Sequence, residues 1–318
     1  MLSRRSLLSL VVVAATQVIA FVFEARAEPP MTVGFSQVGA ESAWRTAETK
    51  SIKAEAAKRG VDLRFSDAQG KQANQIKAVR SFIAQKVGAI IIAPVVETGW
   101  EPVLKEAREA KIPVILVDRG IKSSDESLYA CLIASDFVEE GKMAADWLAA
   151  KTGGKARIIE LQGTTGSAPA IDRQKGFAEA IRPHPGMSIV KSQSADFTRA
   201  KGKEVMQAMI KADPKGFDAV YAHNDDMALG AIQALKEAGL KPGEDVIVIS
   251  IDAVKEAFEA MAEGSLNATV ECNPLLGPIA FDAIDKIRRG ETVPKFVKQT
   301  DRLFERSTAA ADIKSREY

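Results

Sequence analysis

Two doubly wound α/β lobes, each built on a parallel sheet, are the architecture that this sequence of 318 residues predicts, and three observations carry the prediction. Short apolar runs alternate with amphipathic helical stretches from residue 32 onward, the rhythm of right-handed βαβ crossovers. That rhythm occurs twice, the second series beginning near Asp136. Each series contains a core strand that ends in an acidic residue: 111–120, KIPVILVDRG, stops at Asp118 and Arg119, and 246–251, VIVISI, stops at Asp252. An unbroken run of Ile, Val and Leu reads as a strand buried on both faces. In open α/β sheets ligands bind outside the carboxyl ends of such strands, so two lobes built this way imply a cleft between them.

Taken in order, 32–36 (TVGFS) forms the first strand, and 42–59 a helix whose Ala and Ile recur at helical spacing until Gly60 stops it. The second strand covers 61–66. Residues 74–85 carry Ile76, Val79, Phe82 and Ile83 on one helical face, and 89–93 (AIIIA) is another buried strand. A helix over 100–110 leads into the strand that ends at Asp118. In the second series, helices over 139–150, 170–181, 200–212 and 227–238 alternate with strands over 156–161, 187–193 and 219–222, ending in VIVISI. A helix over 254–262, a strand over 268–270 and a late helix over 274–289 follow.

Composition places the chain among ordinary globular proteins: 46% of residues are hydrophobic and 27% charged, with a formal net charge of +1. The basic residues are scattered, which argues against a nucleic-acid or anionic-membrane surface. Residues 1–27 read as a secretory signal peptide, because Arg4 and Arg5 precede an apolar stretch from Leu7 to Phe23 and Ala25, Arg26 and Ala27 fit the small-x-small cleavage pattern. Cleavage after Ala27 would start the mature chain at Glu28 and leave 40 basic against 41 acidic residues. Two cysteines, Cys131 and Cys272, are far apart, lack metal-ligand spacing, and are expected to be free buried thiols.

Catalytic signatures are scarce. His184 sits in a Pro-His-Pro-Gly turn and His223 ends a strand. The chain has no GxSxG elbow, HExxH helix, P-loop or GxGxxG turn, and nothing calls for a metal or cofactor. What stands out is a set of polar residues at the carboxyl ends of strands: Gln37, Glu41 and Arg45 after the first, Asp118 and Arg119, then Arg173, Asn224 and Asp252. Each has a plain structural alternative: Asn224 can cap the next helix, Arg173 can lie on a solvated face, and Glu41 can favour a helix start. Trp44 offers a flat face on which a sugar ring can stack through its C–H side, with core packing as the alternative. Carboxylates, an amide and arginines side by side suit a neutral, hydroxyl-rich ligand better than an anion.

At these residues a resemblance appears. GFSQVGAESAWR, PVILVDRG, IELQGTTGSAPAIDRQKGF, SADFTRAKG, VYAHNDDMALGAIQALKEAG and VISIDAV look like the segments of periplasmic sugar-binding proteins of the ribose- and galactose-binding type, over about residues 32–290. Within that family, the combination of Glu41, Trp44 and Arg45 is most similar to the galactofuranose-binding members of ABC importers. The resemblance implies a type I periplasmic binding protein fold with a three-stranded hinge, the first lobe being 31–134 plus 272–300 and the second 135–271 plus 301–318. It also implies roles: Trp44 stacks on the ring; Asp118, Asn224 and Asp252 accept or exchange hydrogen bonds; Arg45, Arg119 and Arg173 donate; Glu41 takes an exocyclic hydroxyl. Phe197 matches an aromatic that closes the pocket from the second lobe. Ala156 and Phe217 stand near positions where close relatives have cysteines, so their second-lobe disulfide should be missing.

The implied partners are a monosaccharide, an inner-membrane ABC permease and its ATPase, with the protein acting as a periplasmic monomer. Other function classes remain open. The sugar-sensing core of a lac-repressor-like regulator shares the fold but needs a DNA-binding helix-turn-helix where this chain has its export signal. A sensor serving a membrane receptor would bind sugar in the same way. An exported enzyme acting on glycosides would need Asp118 and Asp252 to face each other as acid and nucleophile.

Overall fold

The structure, a computed structural model, describes residues 30–318; the expected signal peptide and its cleavage after Ala27 lie outside the described residues. The first lobe runs β1 (Thr32–Gln37), α1 (Ala43–Lys58), β2 (Asp62–Asp67), α2 (Gln72–Ala84), β3 (Ala89–Ile92), α3 (Glu101–Glu109), β4 (Val114–Val117) and β5 (Cys131–Ala134). The second continues with α4 (Phe137–Thr152), β6 (Lys155–Gln162), α5 (Ala168–Ile181), β7 (Gly186–Ser194), α6 (Arg199–Ala212), β8 (Ala219–Ala222), α7 (Asp225–Glu237), β9 (Ile247–Asp252), α8 (Lys255–Glu263) and β10 (Ala268–Glu271). The remainder is α9 (Gly277–Arg288), β11 (Phe296–Lys298), β12 (Leu303–Glu305) and the short α10 (Ala309–Asp312).

Two sheets result, in the orders β11-β5-β4-β3-β1-β2 and β12-β10-β9-β8-β6-β7. Counted within each lobe, the strands follow the same order, so the doubled rhythm of the sequence is a doubled topology. The pairings within the first sheet are parallel. In the second, only the β10–β12 edge is antiparallel. Sheet membership makes the chain pass between the lobes after β5, after β10 and between β11 and β12.

The core explains the apolar runs. Ile91, Ile115 and Val117 point to one face of the first sheet, among Phe35, Ile52 and Phe281. Ile90, Ile92 and Leu116 point to the other, among Phe82, Trp100 and Leu104. Such strands need apolar residues at every position, because helices cover both faces.

Several boundaries differ from expectation for identifiable reasons. Asn224 caps α7 by accepting the Met227 N–H at 3.0 Å, which starts that helix at Asp225 rather than 227. The late helix starts at Gly277 rather than 274, because Asn273 and Pro274 form a turn in which the Asn273 side chain accepts the Leu275 N–H. Strands β5, β11 and β12, of 4, 3 and 3 residues, were not foreseen; β11 and β12 carry too few residues to show a pattern. Among the described residues no helix is long and apolar enough to cross a membrane.

Candidate functional site: a polar cleft between the lobes

All eight residues expected at the site line one cavity, together with Ser42, Pro169, Phe197 and Cys272. Its empty space, counting the part open to solvent, is about 280 Å3. Elements of both lobes contribute: the start of α1 and the end of β4 from the first, and α5, the β7–α6 turn, the start of α7 and the end of β9 from the second. The lobes also touch directly. The Ala43 N–H donates to Asp226 Oδ2 at 2.8 Å and the Glu97 N–H to the Gly166 carbonyl at 3.0 Å, while Trp44 Nε1 donates to the carbonyl of Cys272, where the chain returns to the first lobe, at 2.6 Å.

Backbone strain concentrates here. Asp118 (φ 60°), Asp196 (53°), Phe197 (61°), Asp252 (127°) and Ala253 (60°) adopt positive φ, where non-glycine residues cost energy and persist when their surroundings hold them. Each stands where the chain leaves a strand or a strand-to-helix turn to face the cleft.

In the first lobe Arg45 is the centre of an ion-pair network. Its Nε donates to Glu41 Oε1 at 3.1 Å, Nη1 to Glu48 Oε2 at 2.5 Å and Nη2 to Asp118 Oδ2 at 2.6 Å. A guanidinium carries five N–H donors, so two remain. Arg119 is 2% exposed; its Nη1 donates to the Val95 carbonyl at 3.2 Å, whereas its Nε, 3.5 Å from Asp118 Oδ2, has no hydrogen-bond partner. Burial and the neighbouring Arg45 bring Arg119 down to about 10. Burial alone would raise Glu41, yet Arg45 and Arg119 hold it below the usual carboxylate value. Its Oε2 is buried without a partner. Asp118 and Arg119 are therefore not a surface pair, the plain alternative for a charged strand end.

In the second lobe Arg173 Nε donates to Glu140 Oε2 and Nη1 to the His223 carbonyl, both at 2.7 Å. Its Nη2 lies 3.8 Å from Asp252 Oδ1. Arg173 is 3% exposed, so it does not lie on a solvated face. Asp252 is pushed well above the ordinary carboxylate range by burial, Arg173 pulling the other way. Asn224 caps α7 and also lines the cavity, and its Nδ2 donates to the Phe197 carbonyl at 3.1 Å. The Phe197 ring lies 5.2 Å from the Arg119 guanidinium and 6.0 Å from that of Arg173. Gly163 makes room for it, because a Cβ there would fall 1.9 Å from the ring.

Trp44 faces the cavity from within a packed core. It lines the cavity, yet it is 4% exposed and belongs to the apolar cluster of the second lobe. The Arg45 guanidinium stands 4.8 Å from its ring centroid.

Four participants escaped the sequence reading. Glu48 and Glu140, both fully buried, orient Arg45 and Arg173. Burial pushes each to about 7 against the pull of its arginine. The one available signal was the i,i+3 spacing of Arg45 and Glu48. His223 acts through its carbonyl, and its ring is turned away: Nδ1 accepts the Gly163 N–H at 3.4 Å, which leaves Nε2–H for Glu160 Oε1 at 3.2 Å. Burial lowers its pKa and keeps it neutral. Asp226 is the fourth, a carboxylate that caps the first helix of the opposite lobe. Both cysteines are free and buried, and Cys272 lines the cavity. Among the described residues no group of three or more His, Cys, Asp or Glu is arranged to hold a metal ion.

Chemically, three arginines face five carboxyl groups, Glu41, Glu48, Asp118, Glu140 and Asp252. Such a balance disfavours an anion and offers donors and acceptors to a neutral polyol.

Residues 33–292 match the family model described as a periplasmic binding protein domain. The galactofuranose-binding protein YtfQ of Escherichia coli is 57% identical over 269 residues, which cover 84% of this chain and 85% of the relative. The ribose import binding protein RbsB of Bacillus subtilis is 34% identical over 267 residues, 84% of each. Among solved structures, the binding component of the arabinose ABC transporter from Shewanella sp. ANA-3, bound to α- and β-L-arabinofuranose, superposes with a TM-score of 0.88 at 58% identity, covering 90% of this chain and 96% of that one. A galactofuranose-binding protein superposes with a TM-score of 0.89 at 54% identity, covering 91% and 99%.

Proposed function

The chain belongs to the periplasmic binding protein domain family, and on that footing we propose that it captures one neutral monosaccharide, galactofuranose or a similar furanose, between its lobes. It then delivers the sugar to the permease and ATPase of an ABC importer. The observation that carries this reading is the cavity walled by both lobes, in which buried arginines and carboxyls keep unused hydrogen-bonding capacity.

The mechanism follows from those unused groups. Arg119 Nε has no hydrogen-bond partner in the protein, and Arg45 and Arg173 retain free N–H groups. A hydroxyl both gives and accepts, so a ring of hydroxyls satisfies these groups in pairs, while the Trp44 indole and the Phe197 ring cover its C–H surface. A ligand lacking one hydroxyl leaves a buried group unpaired, at roughly 1–3 kcal/mol, about one to two decades in affinity. Glu41, Trp44, Arg45, Asp118 and Arg119 belong to the first lobe and Arg173, Asn224 and Asp252 to the second, so only the closed form presents both sets. Sugar therefore shifts the population toward closure. Affinity of micromolar order, about −8 kcal/mol, permits both capture and release.

In this reading the protein works as an exported periplasmic monomer and catalyses nothing. The hinge crossings divide it into lobes of 31–134 plus 272–300 and 135–271 plus 301–318. A thermal-shift screen of neutral monosaccharides, uronic acids and sugar phosphates on the mature chain tests it: neutral furanoses raise the midpoint and the anions do not. A screen in which no neutral sugar moves the midpoint would reject the reading.

A further inference from the structure

A second cavity opens beside the first, between the same two lobes. Gly39, Asp67 and Val95 contribute from the first lobe, and Thr164, Asp196 and Thr198 from the second. Its empty space, counting the part open to solvent, is about 940 Å3. One residue, Glu41, belongs to the walls of both cavities. Its Oε1 faces Arg45 at 3.1 Å and Arg119 at 3.5 Å. Its Oε2, buried and unpartnered, lies on the other side: a Cβ built on Gly39 would stand 3.2 Å from it. One carboxylate thus borders both spaces and keeps an unused acceptor beside the second.

The lining of this second space defines what it can hold. Its charged side chains are Glu41, Asp67 and Asp196, with no lysine or arginine among them. An anion would be repelled, whereas hydroxyl donors would find acceptors. Small apolar surface from Gly39 and Val95 suits the C–H face of a ring. Resting on the monosaccharide reading above, we infer that this cavity is a second sugar subsite. It takes a neutral residue joined by a glycosidic bond to the sugar in the first cavity, with a hydroxyl donating to Glu41 Oε2. The protein would then accept disaccharides as well as free monosaccharides.

Calorimetric titration of the mature chain with galactofuranose and with a neutral digalactofuranoside tests this. Wild-type protein should bind the disaccharide within about 10-fold of the monosaccharide. Thr164→Phe, which fills the second cavity without entering the first, should weaken the disaccharide by about 30-fold or more and the monosaccharide by no more than about 3-fold. Gly39→Ala, which places a methyl against Glu41 Oε2, should act in the same direction. Wild-type protein that binds galactofuranose but rejects the disaccharide by more than about 100-fold overturns the subsite alone. Variants that weaken both sugars equally overturn it too. Binding of neither sugar by the wild type removes the monosaccharide reading and the subsite with it.

Discussion

Arg45 and Trp44 stand next to each other in the chain and differ in what they leave for a ligand. Arg45 is held by three carboxylates, so it is a fixed strut with two donors remaining rather than a free arm. Trp44 is a first-lobe residue buried among second-lobe apolar groups, its N–H given to the Cys272 carbonyl. Closure therefore buries Trp44 whether or not it also carries a sugar. Truncating a packed tryptophan costs ~3–5 kcal/mol, so Trp44→Ala should lower both sugar affinity and the thermal midpoint of the closed protein. Trp44→Phe is the sharper probe, because it keeps a flat ring and removes one hydrogen bond worth ~0.5–1.5 kcal/mol. Calorimetry should find sugar bound about 2- to 10-fold more weakly by that variant; unchanged affinity would mean the Cys272 contact plays no part in holding the indole for the sugar. At this scale Asp118, Arg119, Asn224 and Asp252 were legible, because they stand where apolar strands end, whereas Trp44, Arg45 and Arg173 lie on helices. Glu48 and Glu140 were not legible, because an acidic residue on a helix looks the same in sequence whether it is solvated or holds an arginine.

The helix pair α4–α5 shows how an element sets the distance between two charges. A Cβ on Gly141 would lie 2.3 Å from the Arg173 carbonyl oxygen, and one on Gly176 would lie 2.0 Å from that of Val138. The two glycines let the backbones approach closely enough for Arg173 to reach Glu140 at 2.7 Å. Burial drives Glu140 to about 7, with Arg173 opposing and Asp301 adding to the rise, from an ordinary value of 4.5. A carboxyl raised in the folded state binds more protons there than in the unfolded chain. Its contribution to stability is complete below the unfolded value and is lost as pH climbs through the folded one. Glu48, raised to about 7 by burial, acts with the same sign. The midpoint of sugar-free protein should accordingly fall between about pH 5 and pH 7.5, and Glu140→Gln should flatten that slope. A slope unaltered by Glu140→Gln would show that Glu140 does not titrate in this window. Long, strongly patterned elements such as α1, α5 and β9 were readable to within two residues. β11 and β12 were not, since a three-residue edge strand is defined by its partner and not by its own sequence.

Across the whole molecule the governing event is closure, and part of its energy comes from contacts outside the sugar cavity. Asp226, on the second lobe, caps the first turn of α1 on the first and is itself held by Arg199 at 3.0 Å. A carboxylate at a helix N-terminus contributes ~0.3–1 kcal/mol, which Asp226→Asn would largely remove from the closed form only. That variant should bind sugar about 2- to 5-fold more weakly, and small-angle scattering should show less compaction at subsaturating sugar. Equal compaction in wild type and variant would mean that this contact forms in the open protein as well. The division into two similar lobes was legible because the alternation of strand and helix repeats in order. The second cavity and the cross-lobe cap were not, because they exist only where loops distant in sequence meet.

The account depends on one sugar being held by both lobes at once. Its most direct measurement is a calorimetric titration of the mature chain with galactofuranose, run beside Asp118→Ala and Asp252→Ala, one substitution per lobe. It predicts one sugar per chain with a dissociation constant of micromolar order, and a loss of about 10-fold or more in each variant. No heat from the wild type, or binding that survives loss of either carboxylate, would contradict it.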